Sequence, residues 1–167
     1  PFVTSFCCPP NVVRTVASVN GYAYGVSQNT VWVNLYGSST LSSNLPGGGE
    51  VRLEQQSEYP WNGKVRIKLR ECGADSPKLQ LRVPGWAKSA TLEVDGRPAD
   101  ISLEPGKYAT VENTWKGMTL DLALDMPTQL MESHPLVEET RNHVAVKRGP
   151  IVYCLESTDL PNGISLE

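Results

Sequence analysis

An antiparallel β-sandwich of the jelly-roll type, preceded by one short N-terminal helix, is the all-β fold that the sequence predicts. Three observations carry that expectation. Short runs alternate strictly between apolar and charged residues, turn dipeptides separate them at near-regular intervals, and a single stretch of helical period stands near the start.

The helical stretch comes first. From Pro9 to Gly21 the apolar residues Val12, Val13, Val16 and Val19 follow the spacing of one helix face, with proline in the first turn and glycine as the stop. After Gly25 the period shortens to two. Val31, Val33 and Leu35 alternate with Trp32, Asn34 and Tyr36, and Val51 and Leu53 alternate with Arg52 and Glu54. The clearest strands are Lys64 to Arg70, Lys78 to Val83 and Thr91 to Val94, each with an apolar face and a wet one. Further strands are expected over Tyr108 to Glu112, Met118 to Leu124, Gln129 to Glu132, His143 to Lys147 and Ile151 to Leu155. Turns are marked by Asn62-Gly63, Pro84-Gly85, Asp95-Gly96, Pro105-Gly106 and Lys116-Gly117. Ser38 to Gly49, rich in Ser, Asn and Gly, predicts a long mobile loop.

This pattern divides the chain into residues 1–21, the helical piece, and 22–128, the sandwich. Residues 129–167 then supply strands that complete the sandwich or begin a second β domain. The boundary is soft and lies near Pro127, because Ser133 to Asn142 lacks regular alternation. The stop at Glu167, soon after a strand, suggests truncation, and Leu160 to Glu167 is expected to be poorly ordered.

A chain of 167 residues that is 40% hydrophobic can bury a real core. Its formal charge of -3 and pI near 5.5, with Lys and Arg scattered along strands, exclude the basic footprint of a nucleic-acid binder. No apolar run approaches the roughly 20 residues that cross a bilayer, so no membrane partner is expected. Pro1 to Ser5 has neither the basic start nor the apolar stretch of a signal peptide. Without an initiator Met, a processed product or a fragment is expected, and such a start reports no compartment.

Four cysteines do not make a disulfide scaffold here, because Cys7 and Cys8 are neighbours and Cys72 and Cys154 pair only if the fold brings them together. Cys7-Cys8-Pro9-Pro10-Asn11 is the constellation that stands out for chemistry. Thiols at a helix start meet the positive end of the helix dipole, which favours the thiolate that serves as nucleophile and metal ligand. Two small buried residues at a helix start is the competing reading. Zinc takes four ligands, and none of His134, His143, Cys72 and Cys154 stands at ligand spacing from the pair. Glu138 and Glu139 have the look of solvated loop carboxylates, and His134 and His143 of loop and strand-end residues. Trp32, Trp61, Trp86 and Trp115 are candidates for a sugar-stacking platform, although tryptophans in sandwiches more often plug the core.

Four strings carry a resemblance: Ser5-Phe6-Cys7-Cys8-Pro9-Pro10-Asn11, Val31-Trp32-Val33-Asn34-Leu35-Tyr36, Arg82-Val83-Pro84-Gly85-Trp86 and the run from Val144 to Tyr153. In order and over essentially the whole chain, they resemble glycoside hydrolase family 127, whose members include β-L-arabinofuranosidases. The resemblance implies a longer bacterial enzyme with an (α/α)6 barrel that holds the active site and β-sandwich domains behind it, while its localisation is unknown, cytoplasm and periplasm both being open. Residues 1–21 would then be the last piece of the barrel, and the remainder an accessory sandwich packed on it. It further implies that Cys7 is the nucleophile of a retaining mechanism. Cys7 and Cys8 would bind zinc together with a Glu and a further Cys from an upstream segment. The glutamate that acts as general acid/base would also lie upstream. Carbohydrate, as arabinofuranosides, is then the substrate of the whole enzyme. The chain by itself is expected to be inert and to hold no zinc. A carbohydrate-binding module using exposed Trp61 or Trp86 is the alternative. A thiol redox protein is disfavoured, because redox cysteines are typically separated by two residues.

Overall fold

The computed structural model describes residues 7–73 and 76–161. The expectation of poor order for Leu160 to Glu167 therefore lies mostly outside the described residues. Helix α1 (Cys8–Ser18) is followed by the short α2 (Asn20–Ala23), so the helical segment continues past Gly21. Val19, with φ -57 and ψ -34, joins the two. The strands are β1 (Tyr24–Ser27), β2 (Thr30–Val33), β3 (Ser39–Asn44), β4 (Glu50–Ser57), β5 (Lys64–Glu71) and β6 (Lys78–Arg82). They continue as β7 (Ala90–Val94), β8 (Arg97–Pro98), β9 (Tyr108–Val111), β10 (Thr119–Leu124), β11 (Thr128–Met131), β12 (Ala145–Arg148) and β13 (Ile151–Tyr153).

They assemble into three sheets. One has the order β1-β2-β6-β9, a second β3-β4-β5-β10-β7-β8, and a third β11-β12-β13. The alternation seen in the sequence explains why the first two face each other. Val31, Val33, Leu79, Leu81, Ala109 and Val111 from the four-stranded sheet join Val51, Leu53, Val65, Ile67, Leu69, Leu92, Leu120 and Leu122 from the six-stranded sheet in one buried cluster. Each fully buried Val, Leu or Ile contributes about 1.5–3 kcal/mol relative to exposure. The ion pairs, such as Arg66–Asp121 and Lys78–Glu112, are surface contacts, and such pairs contribute about 0–1 kcal/mol each. Burial between the sheets therefore holds the fold.

The turn chemistry is borne out most clearly at Asp95-Gly96. Val94 pairs with Arg97 across it, and both central residues have positive φ, 49 and 76, the two-residue hairpin that an Asp-Gly sequence favours. Two features depart from expectation. Ser38 to Gly49 is no long loop: β3 runs through it and pairs with β4 from Ser39↔Gln55 to Asn44↔Glu50. A tight turn closes that hairpin, with the Leu45 N–H donating to Gly49 O at 2.9 Å and the Gly48 N–H to Leu45 O at 2.9 Å. As an edge strand, β3 is stabilised by backbone pairing on one side, and of its residues Leu41 alone packs on the core. The second departure is the parallel pairing of β2 with β6 in an otherwise antiparallel sandwich.

The third sheet is fastened to the sandwich at its turn. Arg148 Nη1 donates to the Trp61 carbonyl at 2.8 Å, and a Cβ on Gly149 would lie 2.3 Å from Met126 Cε.

Candidate functional site

Cys7 and Cys8 stand where the sequence places them, at the start of α1. Cys7 is the N-cap and Cys8 the first helical residue. Both are exposed, and their sulfurs lie 3.5 Å apart, well beyond the roughly 2.05 Å of a disulfide bond. Pro9 and Pro10 follow in the first turn and carry no N–H, so the positive end of this helix has fewer donors than an ordinary start. The Asn11 N–H closes the first turn on Cys7 O at 3.2 Å.

What ties the short α2, which follows this helix, to the sandwich is Asn34, a residue to which the sequence pattern assigns no role. Its N–H donates to Ala23 O at 2.9 Å, and its Nδ2 to Tyr22 O at 3.3 Å, which ties the C-terminal end of the helical segment to the strand end. Its side-chain oxygen accepts from Tyr108 Oη at 2.8 Å, and its carbonyl from Arg82 Nη1 at 3.3 Å. Trp32 packs edge-on against Tyr108 with centroids 5.0 Å apart. Tyr36 Oη donates to Arg82 O at 2.5 Å, and burial raises its pKa well above the ordinary tyrosine value. The two strings Val31 to Tyr36 and Arg82 to Trp86 thus meet in one junction. They join helix to sandwich.

The other candidates are dispersed. Among the described residues no group of three or more His, Cys, Asp or Glu side chains could hold a metal ion. Cys72 lies beside Thr114, with its sulfur 3.5 Å from the Thr114 carbonyl and hydroxyl oxygens, and Cys154 is exposed. Glu138 and Glu139 sit exposed in a 3₁₀ turn, where Glu138 meets Arg141 at 3.5 Å. His134 and His143 line a hollow of about 220 Å³ with Glu132 and Arg141. Both ring Nδ1 atoms are engaged locally, with the Leu136 N–H at 3.3 Å and Arg141 O at 3.0 Å. Of the tryptophans, Trp86 stacks on Tyr59 at 6.2 Å, and Trp115 lines an apolar groove with Ile101 and Met118. Trp61, on the turn between β4 and β5, is 69% exposed.

Comparison with known proteins gives the broader context. Residues 30–126 match the family model described as "Beta-L-arabinofuranosidase, GH127 middle domain". Residues 128–166 match that described as "Glycoside hydrolase family 127 C-terminal domain". The chain is 34% identical over 162 residues to the non-reducing end β-L-arabinofuranosidase of Bifidobacterium longum subsp. longum, covering 95% of this chain and 24% of that protein. A solved structure named "Glycoside hydrolase" superposes with a TM-score of 0.91 at 45% identity, over 98% of this chain and 27% of the other. A GH127 β-L-arabinofuranosidase from Geobacillus stearothermophilus T6 does so with a TM-score of 0.86 at 36% identity, over 99% and 26%. The chain spans about a quarter of the length of each.

Proposed function

Because this chain belongs to glycoside hydrolase family 127 and carries its middle and C-terminal domain regions, we propose that it is the accessory β-sandwich of a longer retaining glycosidase, bearing that enzyme's nucleophile at its N-terminal edge. The substrate is a terminal arabinofuranoside, cleaved by the whole enzyme. The observation that carries this reading is the pair of exposed thiols at the head of α1, 3.5 Å apart, in a chain whose remaining length matches the family.

The pair suits zinc. Two sulfurs that share one tetrahedral zinc, each at about 2.3 Å, lie about 3.8 Å apart, close to the separation found here. Cys7 and Cys8 would hold the ion, with the remaining ligands supplied from outside this chain. When bound, zinc favours the ionised thiolates. Cys7 Sγ then attacks the anomeric carbon. An S–C bond forms as the glycosidic C–O bond breaks, and the departing oxygen takes a proton from an acid outside this chain. Water attacks the same carbon while its proton passes to the conjugate base of that acid, the C–S bond breaks and the thiolate returns, so two inversions retain the configuration.

The sandwich braces this chemistry through Asn34, which ties α2, the short helix that follows the cysteine-bearing α1, to the strand end. On α1, Val12, Val13 and Val16 are 62%, 67% and 68% exposed, an apolar row of the kind that a partner surface covers. That partner is the helical barrel of the same enzyme. A second reading, a carbohydrate-binding module using exposed aromatics, has the exposure of Trp61 in its favour.

Hydrolysis of p-nitrophenyl β-L-arabinofuranoside tests the proposal. The whole enzyme is expected to turn it over and the isolated chain to leave it intact. Turnover by the isolated chain that disappears in Cys7→Ser would overturn the division of labour.

A further inference from the structure

The outer face of the six-stranded sheet carries an open concavity of about 690 Å³, within the range of small-ligand sites. Strand register builds it. Gln56 pairs with Arg66, Arg66 with Asp121 and Asp121 with Glu93, so four polar side chains form one row across β4, β5, β10 and β7. In the next row on this face Lys64 pairs with Ala123 and Ala123 with Thr91. A methyl group between two longer side chains leaves a dip in the sheet surface, and Ala123 is its floor.

The walls are held in place. Arg66 grips Asp121 with two bonds, Nε to Oδ1 at 2.6 Å and Nη2 to Oδ2 at 3.3 Å, which fixes both planar groups. On the rim, Asn62 Nδ2 donates to Glu58 Oε2 at 2.5 Å, and Ser38 is bonded to the Ser57 backbone at 3.0 and 3.1 Å. Gln56, Thr91 and Glu93 line the concavity, and among the described residues their side chains make no hydrogen bond. The charged lining is mixed, with Lys64 and Arg66 against Glu58, Glu93 and Asp121. With two cations against three anions, such a surface offers neither a polyanion nor a polycation a field of one sign. It offers many donors and acceptors to a neutral, hydroxyl-rich ligand.

We propose that this concavity is an accessory binding site for a neutral oligosaccharide, with the Gln56–Arg66–Asp121–Glu93 row hydrogen-bonding sugar hydroxyls and Ala123 admitting the ring. It rests on the saccharide reading above but assigns the contact to a polar row, not to tryptophans. Among the described residues nothing aromatic lines it, so binding is weak and governed by hydrogen bonds.

The test is an amide-shift titration of the chain by NMR, using arabino-oligosaccharide, xylo-oligosaccharide and, as a charged contrast, oligogalacturonate. Expected is saturable perturbation centred on Arg66, Thr91 and Ala123 with a neutral sugar, and at least tenfold weaker binding in both Ala123→Leu and Glu93→Ala. Both substitutions are at exposed positions, and unchanged spectra elsewhere report that the fold persists. Binding of xylo-oligosaccharide alone supports the site while separating it from the arabinofuranoside reading. No perturbation by either neutral sugar, preference for oligogalacturonate, or shifts centred on Trp61 instead would overturn it.

Discussion

The carbonyl oxygen of Leu124 lies where a side chain on Gly63 would have to be: a Cβ built on Gly63 falls 2.0 Å from it. The approach is close because the Gly63 carbonyl accepts the Leu124 N–H at 2.9 Å, stitching the β4–β5 turn to the end of β10. The Leu124 carbonyl is backbone and a Cβ is fixed directly to Cα, so neither can rotate away. Gly63→Ala is therefore expected to cost about 2 kcal/mol or more, in the range of substitutions that force a backbone shift. Gly37→Ala, at a position where a Cβ meets nothing within 4 Å, is the control and should change little. Urea midpoints of the two variants check this.

Alkaline pH should weaken the fold through Tyr36. Burial raises its pKa above the unfolded value of 10.0, so the unfolded chain loses this proton first. Its contribution is complete below pH 10 and is lost as pH rises beyond that. Tyr59 is shifted in the same direction, also by burial. Tyr36→Phe should accordingly flatten the fall of the urea midpoint between pH 9 and 11 without removing it, and a slope equal to that of the wild type would contradict the assignment.

How much of this was legible in the sequence depends on which interaction decides each element. Val65, Ile67 and Leu69 alternate with charges because one face of β5 meets the core and the other meets water, and that pattern is readable. Ser39 to Asn44 has no such pattern, because pairing with β4 and not burial makes it a strand. The Asp95-Gly96 hairpin was readable because its backbone conformation demands those residues. The thiol pair was visible through its place before two prolines. Asn34's place as the hub is not legible, since its partners at Tyr22, Arg82 and Tyr108 come from distant parts of the chain. The Gln56–Arg66–Asp121–Glu93 row was hidden for the same reason: alternation shows which face a side chain takes, and register alone shows its neighbour across the sheet.

Asn34→Ala should loosen the helical segment without unfolding the sandwich. It removes the bonds to Tyr22 O and Tyr108 Oη, at about 0.5–1.5 kcal/mol each. Amide exchange across residues 8–23 should accelerate while that of Ile67 and Leu120 stays slow. Equal acceleration throughout would mean that Asn34 serves global stability instead.

Zinc should bind the isolated chain weakly and below one equivalent, because two thiols are half of a tetrahedral site. Metal analysis after dialysis decides this. One tightly held zinc per chain would show that residues within the chain complete the site.

The most direct measurement compares turnover and zinc content in the whole enzyme carrying Cys7→Ser or Cys8→Ser. A serine hydroxyl is a far poorer nucleophile than a thiolate at neutral pH. Cys7→Ser should abolish hydrolysis while keeping the fold and much of the zinc, and Cys8→Ser should mainly weaken zinc. Retained hydrolysis in Cys7→Ser would contradict the assignment of Cys7 as the nucleophile.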